Sequence, residues 1–275
     1  MRTAGRQAGT LNAYVSASSR GLAFEIARGL AAGGANIALS SRSADRLDVA
    51  RRKIVEESPS VRVLTVPGDL CRVDEQERIL AFLDSNGFVP DVFVCNAGHP
   101  RNRRLSSLSR PDWESDLEMI LGHAVFTTRK LAPAMAERGF GRIILLSSIY
   151  AKTPSPDYFM SSLSRAGLFT LSKIVGEEYA SRGLASFVVC LGFVDTPMVR
   201  NLALERPLDA PDPESPAVHA SWNAKYEEWA AEIPAKRIAS PGELSRLVAF
   251  LVSPEAEYLN GTVFSFSGGL DRGLV

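Results

Sequence analysis

From residue 12 onward, short uninterrupted runs of Val, Ile, Leu and Ala alternate with amphipathic segments of helical period. The apolar runs show no in–out alternation of their own. Strands of that kind are covered on both faces, as in a parallel sheet sandwiched between helices. Residues 12–17, 36–41, 61–66, 91–96, 141–148, 184–191 and 262–266 read as strands, and residues 21–32, 44–58, 73–86, 110–138, 157–181 and 241–252 as helices. Gly33-Gly34 closes the first helix, Ser43 and Ser109 stand at cap positions, and Pro111 lies near the start of the long helix. Repeated βαβ units with right-handed crossovers predict an α/β fold, a doubly wound parallel sheet of about seven strands with helices on both faces. A chain of 275 residues fits one such domain. The one long irregular stretch, residues 192–240, is rich in Pro, Asp and Glu and follows the carboxyl end of a strand. Ligands bind outside that end of such sheets, so the stretch reads as a substrate-side lid.

Composition narrows the function classes. Lys+Arg and Asp+Glu both number 31, so no bulk field favours nucleic acid or an anionic membrane. The apolar runs have strand length, far short of a membrane span, and no apolar stretch follows the two arginines of the first ten residues, so no signal peptide is expected. Cys71, Cys95 and Cys190 form an odd set without metal-ligand spacing. They read as buried free thiols of a reducing cytoplasm, and no metal is expected.

The first strand runs into Ser16-Ala17-Ser18-Ser19-Arg20-Gly21-Leu22-Ala23, and a helix follows. Such a turn aims backbone N–H groups and a helix N-terminus at a pyrophosphate. Only one glycine stands where a dinucleotide loop has three, so the local pattern also fits a plain strand-to-helix turn. Ala17 and Ala23 are small enough for close approach, and Ala17 is expected to keep an ordinary backbone φ.

Five further segments join this loop in order: Asp69-Leu70 after strand three, Asn96-Ala97-Gly98 after strand four, Ser147-Ser148 at the end of strand five, Gly192 and Thr196 after strand six, and Gly261 with Ser267-Gly268-Gly269 near the end. With them the chain resembles the short-chain dehydrogenase/reductase family along nearly its whole length, with Leu191 where that family has proline. The resemblance implies a cofactor site at Ser16, Ser18, Ser19, Arg20, Gly21, Leu22, Asp69, Leu70, Asn96, Ala97, Gly98, Gly192, Val194 and Thr196. Members that use NAD carry an acid at the end of strand two, where this chain has Ser41-Arg42. With Arg20 in the loop, two guanidinium groups suit a 2′-phosphate, so NADP(H) is expected.

The resemblance also implies where catalysis sits, and there the chain departs. Aligned on Ala166-Gly167-Leu168, the family's Y-x-x-x-K falls on Ser161 and Arg165, and its supporting asparagine falls on Ile120; Ser148 alone is kept. An aliphatic hydroxyl is a far weaker acid than a phenol, and a guanidinium does not relay protons as an amine does, though it still bonds a ribose. A second register, Tyr158 followed by Arg165, resembles the Y-x6-K arrangement of divergent enoyl-acyl carrier protein reductases in the same superfamily. Tyr158 lies three residues before Ser161, so on a helix the two would share a side; it equally suits simple packing at a helix start. His99 follows Asn96-Ala97-Gly98 and is a candidate for proton transfer, as a loop histidine in solvent is the plainer alternative. His123, one turn beyond Ile120, ranks below it. Arg101, Arg103 and Arg104 are candidates for a substrate phosphate or carboxylate, or simply a solvated face. Trp222, Tyr226 and Trp229, at i, i+4 and i+7, would share one helix face, which could close over an aromatic substrate, pack the lid down or meet a partner.

The expectation is an NADPH-dependent reductase of a ketone or conjugated enone in a small or polyketide-like substrate, with catalytic candidates Ser148, Tyr158, Ser161, Arg165 and His99. The alternatives are a non-redox enzyme on the same scaffold (isomerase, dehydratase or cyclase) and a catalytically silent NADPH-binding subunit. By resemblance, the two long helices would join copies into a homodimer or homotetramer.

Overall fold

Strands β1 (Asn12–Val15), β2 (Asn36–Ser41), β3 (Val63–Pro67), β4 (Val92–Cys95), β5 (Gly141–Ser148), β6 (Leu184–Leu191) and β7 (Val263–Phe266) lie parallel in the order β3-β2-β1-β4-β5-β6-β7. They belong to a computed structural model of the chain, which describes residues 10–100, 103–207, 210 and 216–273. Its helices are α1 (Gly21–Ala32), α2 (Ala44–Glu57), α3 (Val73–Ser85), α4 (Arg110–Leu117), α5 (His123–Glu137), α6 (Phe159–Tyr179), α7 (Pro197–Ala203), α8 (Pro216–Glu232) and α9 (Pro241–Val252). Strand order turns back on itself between β1 and β4, which opens a crevice at their carboxyl ends.

The uninterrupted apolar strands are explained by two cores, one on each face. Ala13 and Val15 point into a core with Ile37, Leu39, Val92 and Val94, roofed by α1, α2 and α9. Tyr14 points the other way, with Ala38 and Phe93, under α3, α5 and α6. Each fully buried Leu or Ile contributes roughly 1.5–3 kcal/mol. An exposed ion pair such as Arg28–Glu57 (2.9 Å) adds about 1 kcal/mol at most, so the two cores carry the fold. The Tyr14 hydroxyl, buried among apolar neighbours, is satisfied by Ser40 Oγ at 2.9 Å. Helices α1 and α9 approach so closely that a side chain on Gly29 would collide with Ser245 Oγ.

Several expected boundaries move. The first strand stops at Val15 rather than 17, the third shifts from 61–66 to Val63–Pro67, and the fourth and seventh shorten to Val92–Cys95 and Val263–Phe266. The helix expected over 110–138 is not uniform: a π turn, Glu118–Gly122, separates α4 from α5, and Ile120 is buried at its centre. Gly122 has no side chain to obstruct the Glu118 carboxylate, which folds back over it. Ser109 is the N-cap of α4, but its hydroxyl bonds Asp112 Oδ2 (2.5 Å) instead of a backbone N–H. The helix expected over 157–181 opens with a 3₁₀ turn, Pro156–Tyr158, and only then becomes α6.

The largest correction concerns residues 192–240, which hold α7 and α8 rather than one irregular stretch. Thr196 caps α7 by accepting from the Val199 N–H (3.3 Å), with Pro197 at its first turn, a start signal present in the sequence. The segment has a third, small core of Val199, Ala203, Trp222, Ile233 and Ile238. No helix among the described residues is long and apolar enough to cross a membrane.

Candidate active site

The crevice is built first by backbone. Ser16 Oγ donates to the Asn96 carbonyl (2.6 Å) and accepts from the Asn96 N–H (3.0 Å), joining the ends of β1 and β4. Asn96 Nδ2 donates to the Ala17 carbonyl (3.2 Å), and Ser18 ties down both neighbours, its N–H to Ser40 O (2.9 Å) and its hydroxyl to Val15 O (2.6 Å). Short serine side chains thus hold a loop that glycines would leave freer. Gly21 starts α1 at φ +62°, and among the described residues nothing lies within 4 Å of the place a Cβ would take, which leaves room beside the helix N-terminus. Ala17 does not have the ordinary φ expected of it; it lies at +48°, in the left-handed region where a Cβ costs about 1–2 kcal/mol.

The remaining cofactor candidates surround this loop. Ser41 ends β2 half-buried and Arg42 is exposed, with no carboxylate at either position. Arg20, the extended N-cap of α1, reaches the Ala210 carbonyl with Nη1 (3.4 Å). Asp69 Oδ1 accepts from the Cys71 N–H (3.0 Å), while Leu70 is buried below and its carbonyl accepts from Gln76 Nε2 (2.8 Å). Cys71 is only half-buried, which corrects the expectation of three buried thiols. Across the crevice, the Met119 sulfur covers Gly98, Gly192 packs against Ser267, and Val194 is buried and bridged to Ala239. A Cβ on Gly98 would stand 2.6 Å from Met119 Sδ, so any larger residue there would have to push the Met119 side chain aside.

The catalytic candidates divide into two groups. Ser161, buried, accepts from Arg165 Nη1 (2.9 Å), and Arg165 Nη2 donates to the Gly98 carbonyl (3.3 Å). The Arg165 backbone carbonyl accepts from Ser147 Oγ (3.3 Å), which fastens α6 to the end of β5. Burial pulls the Arg165 guanidinium down to about 10, so it stays charged at neutral pH. Burial, and then that same charge, hold His99 below the ordinary imidazole range. His99 Nδ1 lies 2.6 Å from the Pro100 carbonyl, which assigns the proton to Nδ1 and leaves Nε2 an acceptor.

The second group sits on the turn after β5. Ser148 Oγ accepts from the Tyr150 N–H (3.2 Å), and the Tyr150 ring stacks on Tyr158 with centroids 4.1 Å apart and planes 11° from parallel. Tyr158 is the N-cap of α6, one residue ahead of the helix, so it does not share a helical face with Ser161. Burial, and then the facing Tyr158 phenol, push Tyr150 up to about 12.

Other candidates are accounted for by packing. His123 is buried, bonded to Thr127 and set edge-on to Phe93, and burial pulls it down to about 3. Arg103 pairs with Asp112 (2.5 Å), and exposed Arg104 pairs with exposed Asp157 (3.1 Å), an arrangement that fits the solvated face; Arg101 lies outside the described residues. Of the three roles open to Trp222, Tyr226 and Trp229, packing the segment down is the one observed. Trp222 is buried against Arg200, Tyr226 bonds the Ile238 backbone, and Trp229 lies on Phe193 with centroids 4.6 Å apart.

Sequence reasoning missed Tyr150, Lys152 and Asp271. Tyr150 lay two residues beyond Ser148 in plain view, whereas the partnership of Lys152 with Asp271 spans 119 positions and left no local signal.

Comparison with known proteins agrees with this geometry. A family model described as enoyl-(acyl carrier protein) reductase matches residues 16–271. Dehydrogenase/reductase SDR family member 4 of Bos taurus is 30% identical over 261 residues, covering 94% of this chain and 86% of the relative. The L-sorbose reductase of Gluconobacter frateurii, solved with NADPH and L-sorbose, superposes with a TM-score of 0.87 at 30% identity, over 96% of this chain and 98% of that one. An actinorhodin polyketide ketoreductase solved with NADPH gives a TM-score of 0.84 at 26% identity, over 96% and 98% of the two chains. The chain belongs to the short-chain dehydrogenase/reductase family, the NAD(P)-dependent oxidoreductases built on this sheet.

Proposed function

We propose that this chain is an NADPH-dependent reductase acting on the carbonyl of a ketone or conjugated enone in a small or polyketide-like molecule. The observation that carries the reading is the Arg165 cluster: a positive charge bonded to Ser161 and to the carbonyl of Gly98, two residues after the Asn96 that is tied to the phosphate loop. The residues fit a dinucleotide. Ser16, Ser18, Ser19, Gly21 and Leu22 would hold the pyrophosphate against the α1 N-terminus, Asp69 and Leu70 the adenine side, and Asn96, Ala97, Gly98 and Arg165 the ribose. Gly192, Val194 and Thr196 would close the nicotinamide side. The carboxylate-free Ser41-Arg42 end of β2 and the nearby Arg20 favour a 2′-phosphate, and the NADPH complexes of the sorbose and polyketide reductases support the same choice. When bound, NADPH supplies the hydride.

This chain's own residues then manage the oxygen that gains charge. Ser148 polarises it and Arg165 offsets the charge from the ribose side, in a site where fixed dipoles act more strongly than in water. Tyr158 is the better proton donor of the two registers: a phenol is a far stronger acid than an aliphatic hydroxyl, and it is half-exposed whereas Ser161 is buried. His99, neutral with a free acceptor nitrogen, is suited to take a proton rather than to give one, so its part would lie in the oxidative direction. Val125, Leu163 and Ile174, 43, 50 and 47% exposed on α5 and α6, support association of copies through these helices.

Titration with NADPH and NADH by fluorescence, followed by incubation with a panel of ketones and enones, tests the reading. Tight NADPH binding with substrate-dependent oxidation, lost in Tyr158→Phe or Ser148→Ala, is the expected result. Binding without oxidation would favour non-redox chemistry on the same scaffold, a reading encouraged by the missing Tyr–Lys pair. Failure to bind either nucleotide overturns both.

A further inference from the structure

The turn that carries Ser148 and Tyr150 is anchored from an unexpected direction. Within it, the Ile149 carbonyl accepts from the Lys152 N–H (3.0 Å), the Thr153 N–H (2.9 Å) and the Thr153 hydroxyl (3.1 Å). The Lys152 side chain then leaves the turn, crosses the ends of β6 and β7, and meets Ser265 Oγ (3.0 Å) and Asp271 Oδ2 (3.0 Å). The ion pair is nearly dry, its two side chains 9% and 3% exposed. Asp271 is held from several sides: Ser265 bonds Oδ2 as well, the Gly273 N–H donates to Oδ1 (2.9 Å), and the Asp271 backbone N–H donates to Ser267 Oγ (3.2 Å).

An ion pair this deeply buried is a poor way to gain stability, because desolvation of both charges offsets their attraction; an apolar pair of similar volume is often as stable or more so. What it supplies is direction, since an ammonium between two oxygens has one good position, whereas a methylene chain has many. The position fixed here is that of the turn holding Ser148 Oγ on the Tyr150 N–H and the Tyr150 ring under Tyr158.

We propose that Lys152 and Asp271 are positioning residues: the C-terminal segment, through this buried pair, sets the placement of the Ser148 hydroxyl and of the Tyr150–Tyr158 stack. The inference rests on the reductase reading for its kinetic consequence, but its structural content does not. A misplacement of about 1 Å costs on the order of 100-fold in rate, so the site should be sensitive to this anchor.

The test compares wild type with Lys152→Met, Asp271→Leu and the double variant carrying both. Each single change strands one buried charge and is expected to lower Tm. In the double variant the stranded charge is gone and Tm is expected to return to near the wild-type value, while kcat stays down by roughly tenfold or more and the NADPH dissociation constant is unchanged. Amide hydrogen exchange gives the second readout: the Tyr150, Lys152 and Thr153 amides should exchange at least tenfold faster in the folded double variant. If kcat and amide protection recover together with Tm, the pair is merely structural and the inference is overturned. If wild type binds NADPH but turns over nothing, the reductase reading fails, and exchange at Tyr150 still decides the positioning role. If neither single change nor the double change alters that exchange, the positioning role is wrong whatever the enzyme does.

Discussion

Two stretches of this chain depart from the side chains that the family resemblance leads one to expect, and the change means something different in each. In the phosphate loop, two glycines of three are replaced by Ala17 and Ala23, yet the loop still turns through φ +48° at Ala17 and +62° at Gly21 and presents the same helix N-terminus. A phosphate site made of backbone N–H groups needs a path of the chain, and serine–backbone bonds can enforce that path in place of glycine freedom. At the start of α6 the replaced groups were themselves the chemistry. Ser161 and Arg165 keep the helix and bond one another, but no arrangement of the backbone turns an aliphatic hydroxyl into a phenol.

Four measurements would break or sharpen this contrast. The largest effects belong to the side-chain site. Ser148→Ala and Arg165→Met should each lower kcat by about 10²–10³-fold, while the NADPH dissociation constant rises far less; in Arg165→Met, a dissociation constant that rises steeply with kcat unchanged would make Arg165 a binding group only. Next, Ser41→Asp places a carboxylate where a 2′-phosphate would lie. It should weaken NADPH about tenfold or more and relieve the discrimination against NADH, read by fluorescence titration; unchanged NADPH affinity would remove β2 from the cofactor account. A smaller effect is expected from pH. Burial and the Arg165 charge hold His99 below the ordinary imidazole range and Arg165 stays charged, so kcat should run level from about pH 7 to pH 8. A limb near pH ~6.5 would bring a histidine into the step. The smallest is Ala17→Gly, which restores the expected glycine and relieves the left-handed Cβ at the cost of a freer unfolded chain. The net gain should be about 0.5–1 kcal/mol in denaturant unfolding, with cofactor affinity unchanged.

The same contrast explains what could be read from the residues. Strands such as β5 and β6 matched their expected ends because runs buried on both faces have one stable use. The asparagine position at Ile120 was legible from spacing, but the π turn around it depends on how the Glu118 side chain folds over Gly122, which spacing does not carry. Residues 192–240 looked irregular because they are rich in Pro, Asp and Glu, although the Thr196-Pro197 start of α7 was there to be seen. The three aromatic residues of α8 were placed on one face, yet only tertiary packing could say that this face turns inward onto Val199 and Ile238. Tyr158 stood out by its spacing to Arg165; that it lies against Tyr150 follows from a stack between two separate turns. Asp271 belongs to the same class of long-range partners, invisible until the chain closes.

The π turn also makes the long helix a counting device. Five residues there accomplish what four would in a regular helix, so everything after Gly122 is rotated by about one residue's arc, roughly 100°, from the phase set by α4. Met119 covers Gly98 before that offset, whereas Ala124 and Thr127 meet the sheet after it. One helix therefore serves two surfaces with different registers. Removing a single residue between 118 and 122 would leave the helix longer in hydrogen bonds and smoother in outline, yet would present the wrong stripe either to the crevice or to the core.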